Sequence, residues 1–324
     1  MQLDYNEYSG EIHPTTLQAY SDSAVDLPRY YRSGGSELER SIAQAFQIDA
    51  TLCSQIFPIP GSDEGIFRWL LFCRSLGAGS FRTLHSPTYD HTLVFAHQLG
   101  FHTAHSAHEA DAFYICTPNN PCGTTVSPAR IVEIAREHPG RLLIDLSYFT
   151  FGSQSAGEYV TKAIDAGLSN CTFVVSGAKM FPLAGLRFGW MLSLDPEICD
   201  LARLQLNPKL LAPIARSVTM ACLHEAEFYF AQNRVIFENR APTARVLTSF
   251  LATHGIFLEI DLEGCGNFFR LHGDHSELSQ ASQLLLLRGI VIREKTHWPF
   301  LRASSTGTHL LQMIEARLSA GRNV

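Results

Sequence analysis

Apolar residues recur at helical spacing over residues 63–76, whereas 112–116, 142–144 and 173–175 are short, unbroken apolar runs. Such a run suits a strand of a parallel sheet covered on both faces, where every side chain meets apolar neighbours whichever way it points. Between two of these runs, Ser127 and Pro128 open a helix as N-cap and first helical residue, and a Pro139-Gly140 break precedes the next strand. This alternation predicts an α/β fold, a large domain with a mainly parallel central sheet flanked by helices. After about residue 208 the pattern changes to long helical stretches, then FFRL at 268–271, a helix around 276–287 and GIVIRE at 289–294, which predicts a smaller α+β C-terminal domain. The expected division is an N-terminal segment (1–25) packing on the small domain, a large domain (26–208), and an interdomain helix with the small domain (209–324).

Composition narrows the function classes. Of 324 residues, 46% are hydrophobic and 17% charged, the balance of an ordinary globular protein. The net charge of -6 supplies no basic field, which argues against nucleic acid or anionic lipid as partner and leaves small-molecule chemistry. Eight cysteines form no CxxC pair and sit mostly among apolar neighbours, as reduced thiols do. The first residues, MQLDYNEYSGEIHP, lack the basic and apolar regions of a signal peptide, and no run approaches the roughly 18 apolar residues of a membrane span. A cytoplasmic location is therefore expected.

Four segments carry chemistry. In VVSGAKMFPLAGLRFGW (174–190), Lys179 follows a buried strand; its apolar neighbours Val174, Val175, Met180, Phe181 and Leu183 would desolvate the ammonium group and favour the nucleophilic neutral amine. Ser176 and Arg187 in the same segment can reach a phosphate. In LLIDLSYF (142–149), Asp145 stands at the carboxyl end of a strand, the edge where α/β sheets place ligands. TPNNPCG (117–123) follows another strand and presents Asn120, with Pro121 and Gly123 fixing the turn. PGSDEG (60–65) precedes an apolar-periodic helix, so the amides of Gly61, Ser62 and Asp63 would point at an anion. Each has a plainer explanation in isolation: a surface lysine, a capping aspartate, a turn, a bare helix cap. Together they match the demands of pyridoxal phosphate (PLP): an amine for its aldehyde, a carboxylate for its ring nitrogen, donors for its 3-oxygen and a cradle for its phosphate.

Their order also carries a resemblance. With DYNEYSG near the start, RYY (29–31), SPTY (86–89), CGNFFRL (265–271), GIVIRE and LRASSTGT (301–308), the chain resembles histidinol-phosphate aminotransferase-like members of PLP fold type I, almost end to end. The resemblance implies that Lys179 is the Schiff-base lysine and catalytic base, that Asp145 pairs with the pyridine nitrogen, and that Asn120 and Tyr148 bind the 3-oxygen. It further implies that Tyr89 stacks on the ring, that Ser62, Asp63, Ser176 and Arg187 hold the phosphate, and that Tyr30 reaches it from the neighbouring subunit of a homodimer. Arg302 matches the arginine that clamps the substrate's acidic group, for which a planar, permanently charged guanidinium is suited. The implied activity is transfer of an amino group between amino acid and keto acid substrates.

The chain departs from that pattern in three places. Leu146 and Ser147 follow Asp145 where the family usually has DEAY, and Ala178 precedes Lys179 where a serine or threonine is usual. Only FHTAHSAHEAD fills the stretch around 101–111, so a peripheral element is expected to be missing and histidinol phosphate is not assumed as substrate. His102, His105 and His108 in that stretch are spaced so that neither helix nor strand brings all three to one face, which predicts a solvated loop and no metal. His297 and Trp298 are candidates for the substrate pocket. The same cofactor contacts would serve a decarboxylase, an eliminating lyase or an amino acid oxidase, and a non-catalytic PLP or amino acid binding module is a further alternative. A nicotinamide-dependent dehydrogenase would need a GxGxxG after its first strand, which the sequence lacks.

Overall fold

In the computed structural model, which describes residues 1–26, 36–206 and 211–320, the chain begins with a two-residue strand, β1 (Gln2–Leu3). Its main sheet follows: β2 (Ile56–Ile59), β3 (Ser80–Thr83), β4 (His102–Thr103), β5 (Ala112–Cys116), β6 (Arg141–Asp145), β7 (Cys171–Ser176) and β8 (Gly189–Ser193). The spatial order is β2-β8-β7-β6-β5-β3-β4. Pairs from β4 through β7 are parallel, while β8 runs antiparallel to β7 and to β2. Pro58, which has no amide proton to give a ladder, sits on the edge strand β2.

The three apolar runs thus become β5, β6 and β7, adjacent in the middle of the sheet. Their side chains alternate between two cores. Phe113, Ile115, Leu142, Ile144, Phe173 and Val175 pack on one face. Ala112, Tyr114, Cys116, Leu143 and Val174 pack on the other. Burial on both faces explains why the runs are unbroken rather than alternating with polar residues. The helix expected over 63–76 runs Ser62–Ser75 and lies on the second face. Ser127 caps Pro128–Glu137 by accepting from the Arg130 amide, as its position before a proline implied.

The second half builds a separate antiparallel sheet from β9 (Glu259–Asp261), β10 (Phe268–His272) and, beyond β11 (Val291–Ile292), β12 (Phe300–Ser304), in the order β12-β10-β9. β11 pairs in parallel with β1, and Leu3 is buried in the core of this region, so the N-terminal segment is tied to the C-terminal sheet. The stretch of three histidines differs from a plain loop: His102 lies in edge strand β4, and a 3-10 turn spans Ala107–Glu109. His102, His105 and His108 are all exposed.

Phe173 is wholly buried in the centre of β7, three residues before Ser176. Phe173→Ala is expected to cost about 3–5 kcal/mol of unfolding free energy, checked by the urea midpoint of the variant against the parent.

Candidate active site

The carboxyl ends of β5, β6 and β7 and the amino end of the helix Ser62–Ser75 enclose a cavity of about 280 Å³. Asp145 ends β6 on the face shared by Tyr114 and Cys116 and is only 3% exposed. The Ser147 amide donates to its Oδ1 (2.9 Å) and the Tyr114 hydroxyl to its Oδ2 (2.7 Å). Burial pushes the Asp145 pKa up, and these hydrogen bonds pull against it.

Lys179 follows β7 by three residues and reaches the same cavity. Burial, then repulsion from Arg302, brings its pKa down to about 8. Its ammonium donates to the Tyr5 carbonyl at 2.8 Å. Ser176 is buried, with its Oγ accepting from the Ala178 amide (3.3 Å) and its own amide donating to Ser147 Oγ (3.0 Å), so the turns after β6 and β7 are knitted together.

The phosphate candidates also converge. Gly61 is the N-cap of Ser62–Ser75 at φ 95°, a conformation open to glycine, and a Cβ there would stand 2.7 Å from Arg187 Nη2. A helix N-terminus and a guanidinium therefore face one small space. The Asp63 carboxylate is engaged elsewhere: its Oδ1 accepts from Tyr89 OH at 2.7 Å and its Oδ2 lies 3.6 Å from His91. Only its backbone remains for an anion. The tether in turn fixes Tyr89, whose ring lines the cavity.

On the opposite side, the two asparagines of the NNP turn separate in role. Asn119 is structural: it accepts from Thr88 Oγ1 at 2.7 Å and donates to the Pro87 carbonyl at 3.0 Å. Asn120 faces the cavity, and its Oδ1 accepts from Arg302 Nη1, which leaves its amide nitrogen free to donate to a ligand. Tyr148 is buried with its ring edge-on to Phe268, its hydroxyl accepts from Asn6 Nδ2 at 3.0 Å, and burial raises its pKa to about 12.

Arg302, in β12, is 4% exposed. Besides Asn120 it donates from Nη2 to the Asp4 carbonyl at 2.5 Å, and its Nε is buried without a partner. Burial lowers its pKa to about 10. A buried guanidinium held by two neutral oxygens keeps its charge available to an anion.

One sequence candidate is not brought in. His297 is exposed and outside the cavity lining, whereas Trp298 beside it is buried and lines it. Tyr30 lies outside the described residues. Sequence reasoning missed Arg293 and Lys295, which line the mouth, Lys295 paired with Asp90 across it. It also missed Tyr114 and Asn6. The phenol of Tyr114 inside the otherwise apolar AFYIC was a signal that could have been read.

The model of the family "aminotransferase class I and II" matches residues 1–308. An aromatic amino acid aminotransferase of Mycobacteroides abscessus is 25% identical, over 76% of this chain and 74% of its own length. The crystal structure of histidinol-phosphate aminotransferase from Sinorhizobium meliloti in complex with pyridoxal 5'-phosphate superposes with a TM-score of 0.80 at 20% identity, covering 98% of this chain and 90% of that one. L-threonine-O-3-phosphate decarboxylase from Porphyromonas gingivalis superposes with a TM-score of 0.77 at 16% identity, covering 99% and 98%. At such identities the superpositions establish the fold, and the family model carries the membership.

Because the pKa of Lys179 lies near 8, its reaction with an amine-acylating reagent in the cofactor-free protein is expected to reach half its plateau rate near that pH. An ordinary lysine does so near about 10.4. Peptide mass spectrometry after timed labelling across pH 6–11 checks this.

Proposed function

The chain belongs to the class I and II aminotransferases and is a PLP-dependent enzyme, and we propose that it transfers the amino group of an amino acid held by Arg302, with Lys179 carrying the cofactor. The observation that carries this reading is the meeting of Lys179, Asp145, Asn120 and Arg187 in one cavity. The residues present fit the cofactor. Gly61 leaves open, beneath Arg187, the space a side chain would fill, and Asp145 is a buried carboxylate with acceptor capacity beyond its two donors.

When bound, PLP supplies an aldehyde that takes up an amine and a ring that withdraws electrons from the substrate Cα. The protein's own residues do the rest. Arg187, Ser176 and the amides of Ser62 and Asp63 hold the phosphate. Asp145 keeps the ring nitrogen protonated, and Asn120 and Tyr148 hold the 3-oxygen. Lys179, neutral in a substantial fraction near its pKa of about 8, attaches the cofactor. Its free amine would take the proton from the substrate Cα and hold it for return to the product side. Arg302 would bind the substrate carboxylate and so orient the groups on Cα in favour of proton loss.

The reading includes a homodimer in which Tyr30 completes the phosphate site of the neighbouring subunit. It places the enzyme in the cytoplasm; among the described residues, no helix is long and apolar enough to cross a membrane.

Borohydride reduction of the PLP-loaded protein is expected to fix a pyridoxyl group on Lys179, located by peptide mapping, and Lys179→Ala to lower amino-group transfer by about 10²-fold or more. A pyridoxyl group found elsewhere refutes the assignment. Carbon dioxide or ammonia released in step with substrate use would instead point to decarboxylation or elimination.

Arg302→Gln is expected to cost about 1.5–3 kcal/mol of binding for an amino acid, raising KM by roughly 10- to 150-fold. Binding of the matching amine without its carboxylate should change little. Steady-state kinetics with the acid, alongside binding titrations with the amine, separate the two.

A further inference from the structure

Tyr114 is a phenol where the fold asks for a hydrocarbon. It occupies the centre of β5 with no exposed surface, on the face shared by Cys116, Leu143, Val174 and Met191. A hydroxyl buried there without a partner would cost free energy. The register places Tyr114 beside Leu143 and Cys116 beside Asp145, so the carboxylate lies two residues further along the same face, within the span of a tyrosine ring. The hydroxyl meets Asp145 Oδ2 at 2.7 Å.

We propose that Tyr114 is a positioning residue for Asp145: its hydroxyl holds the carboxylate ionised and in a fixed plane, so that an oxygen lone pair is presented to the cofactor's ring nitrogen. This rests on the reading of Asp145 as the ring-nitrogen partner.

A carboxylate has about four acceptor sites. The Ser147 amide occupies one on Oδ1 and Tyr114 one on Oδ2. Two donors on different oxygens fix the rotation of the carboxylate, which one donor would leave free. The surroundings make the Tyr114 bond matter for charge as well. Burial pushes Asp145 toward its neutral form, and Asp63, from the helix Ser62–Ser75, repels it further. Titratable groups near it are Cys116 and Tyr114 on β5, Tyr148 after β6, and Tyr89 beside the helix Asp90–Gln98, and the cations Lys179, Arg187 and Arg302 line the same cavity. Burial raises the pKa of the thiol and of the three phenols, so these four stay neutral at physiological pH. The groups that donate directly to the carboxylate are Tyr114 and Ser147, and both favour its charged form. Without the tyrosine hydroxyl, the proton shared with the ring nitrogen moves toward Asp145.

The test compares Tyr114→Phe, Asp145→Asn and the parent for binding of PLP and of its 1-deaza analogue, in which a C–H replaces the ring nitrogen. Tyr114→Phe is expected to shrink the preference for PLP over the analogue by about tenfold, mainly through weaker PLP binding, and Asp145→Asn to shrink it at least as much. A second readout needs no cofactor. The folded-state pKa of Asp145 is raised, so its contribution to stability is fully present below the unfolded carboxylate value and lost as pH rises through the folded one. Tyr114→Phe raises the folded value further. The Tm deficit of the cofactor-free variant is therefore expected to be small near the unfolded carboxylate value of about 4 and larger near pH 8. Equal weakening of both ligands by Tyr114→Phe, or a Tm deficit independent of pH, overturns the proposal if Asp145→Asn still shrinks the preference. If Asp145→Asn does not discriminate either, the ring-nitrogen assignment fails and this proposal with it.

Discussion

Burying one carboxylate at the end of a central strand is the constraint on which the site depends. Asp145 closes β6 in a sheet covered on both faces, and the same desolvation acts in opposite senses on its neighbours. It raises the acid and lowers the amine of Lys179 to about 8. A lysine reactive near neutral pH is thus a by-product of the sheet's burial, and needs no dedicated base beside it. The carboxylate, by contrast, must be held in its charged form by named donors. In the proposed reading the cofactor's ring nitrogen is the cation that pairs with it.

The cations of the cavity sit at two ends. Arg187 faces Gly61 and the helix N-terminus, while Arg302 approaches from the C-terminal sheet. This polarity suits a ligand with a phosphate at one end and a carboxylate at the other. The N-terminal segment shapes the second end with main-chain atoms: Asp4 offers its carbonyl to Arg302 and Tyr5 offers its carbonyl to Lys179. Neutral acceptors satisfy the donors without cancelling their charge, whereas a carboxylate there would compete with the substrate's own.

Legibility followed distance along the chain. β5, β6 and β7 were readable because burial on both faces writes an unbroken apolar run, and Asp145 and Lys179 were readable because they are polar breaks at the ends of such runs. What depends on register was hidden. Tyr114 looks like one more strand residue until β5 is aligned with β6 and its hydroxyl falls on Asp145. Asn6 gains meaning only when β1 pairs with β11 and brings it to Tyr148 and Ser304. Between His297 and Trp298 the choice was a matter of one position, and the chain turns the tryptophan inward and the histidine out. For Asp63 the sequence pointed to the backbone amide, and the side chain's bond to Tyr89 emerged only from the fold.

A fold shared with a decarboxylase must select its reaction by orientation. Arg302, the orienting residue of the proposed reading, lies in a different sheet from Asp145, so in that reading the joint between the two sheets sets the angle of the substrate. Besides the side-chain bond between Arg302 and Asn120, backbone contacts hold that joint. The Cys265 amide donates to the Gly123 carbonyl at 2.8 Å, and a Cβ on Gly123 would lie 2.6 Å from the Cys265 carbonyl, as would one on Gly264 from the Gly123 carbonyl carbon. Any side chain at either glycine would force the turn bearing Asn120 away from the strand that leads to Arg302, and with it the bond between Asn120 and Arg302. Gly123 of the NNPCG turn and Gly264 thus keep Asn120 in register with Arg302. In the proposed reading, the choice of which Cα bond is broken then depends on this close approach of main chains as well as on the side chains it aligns.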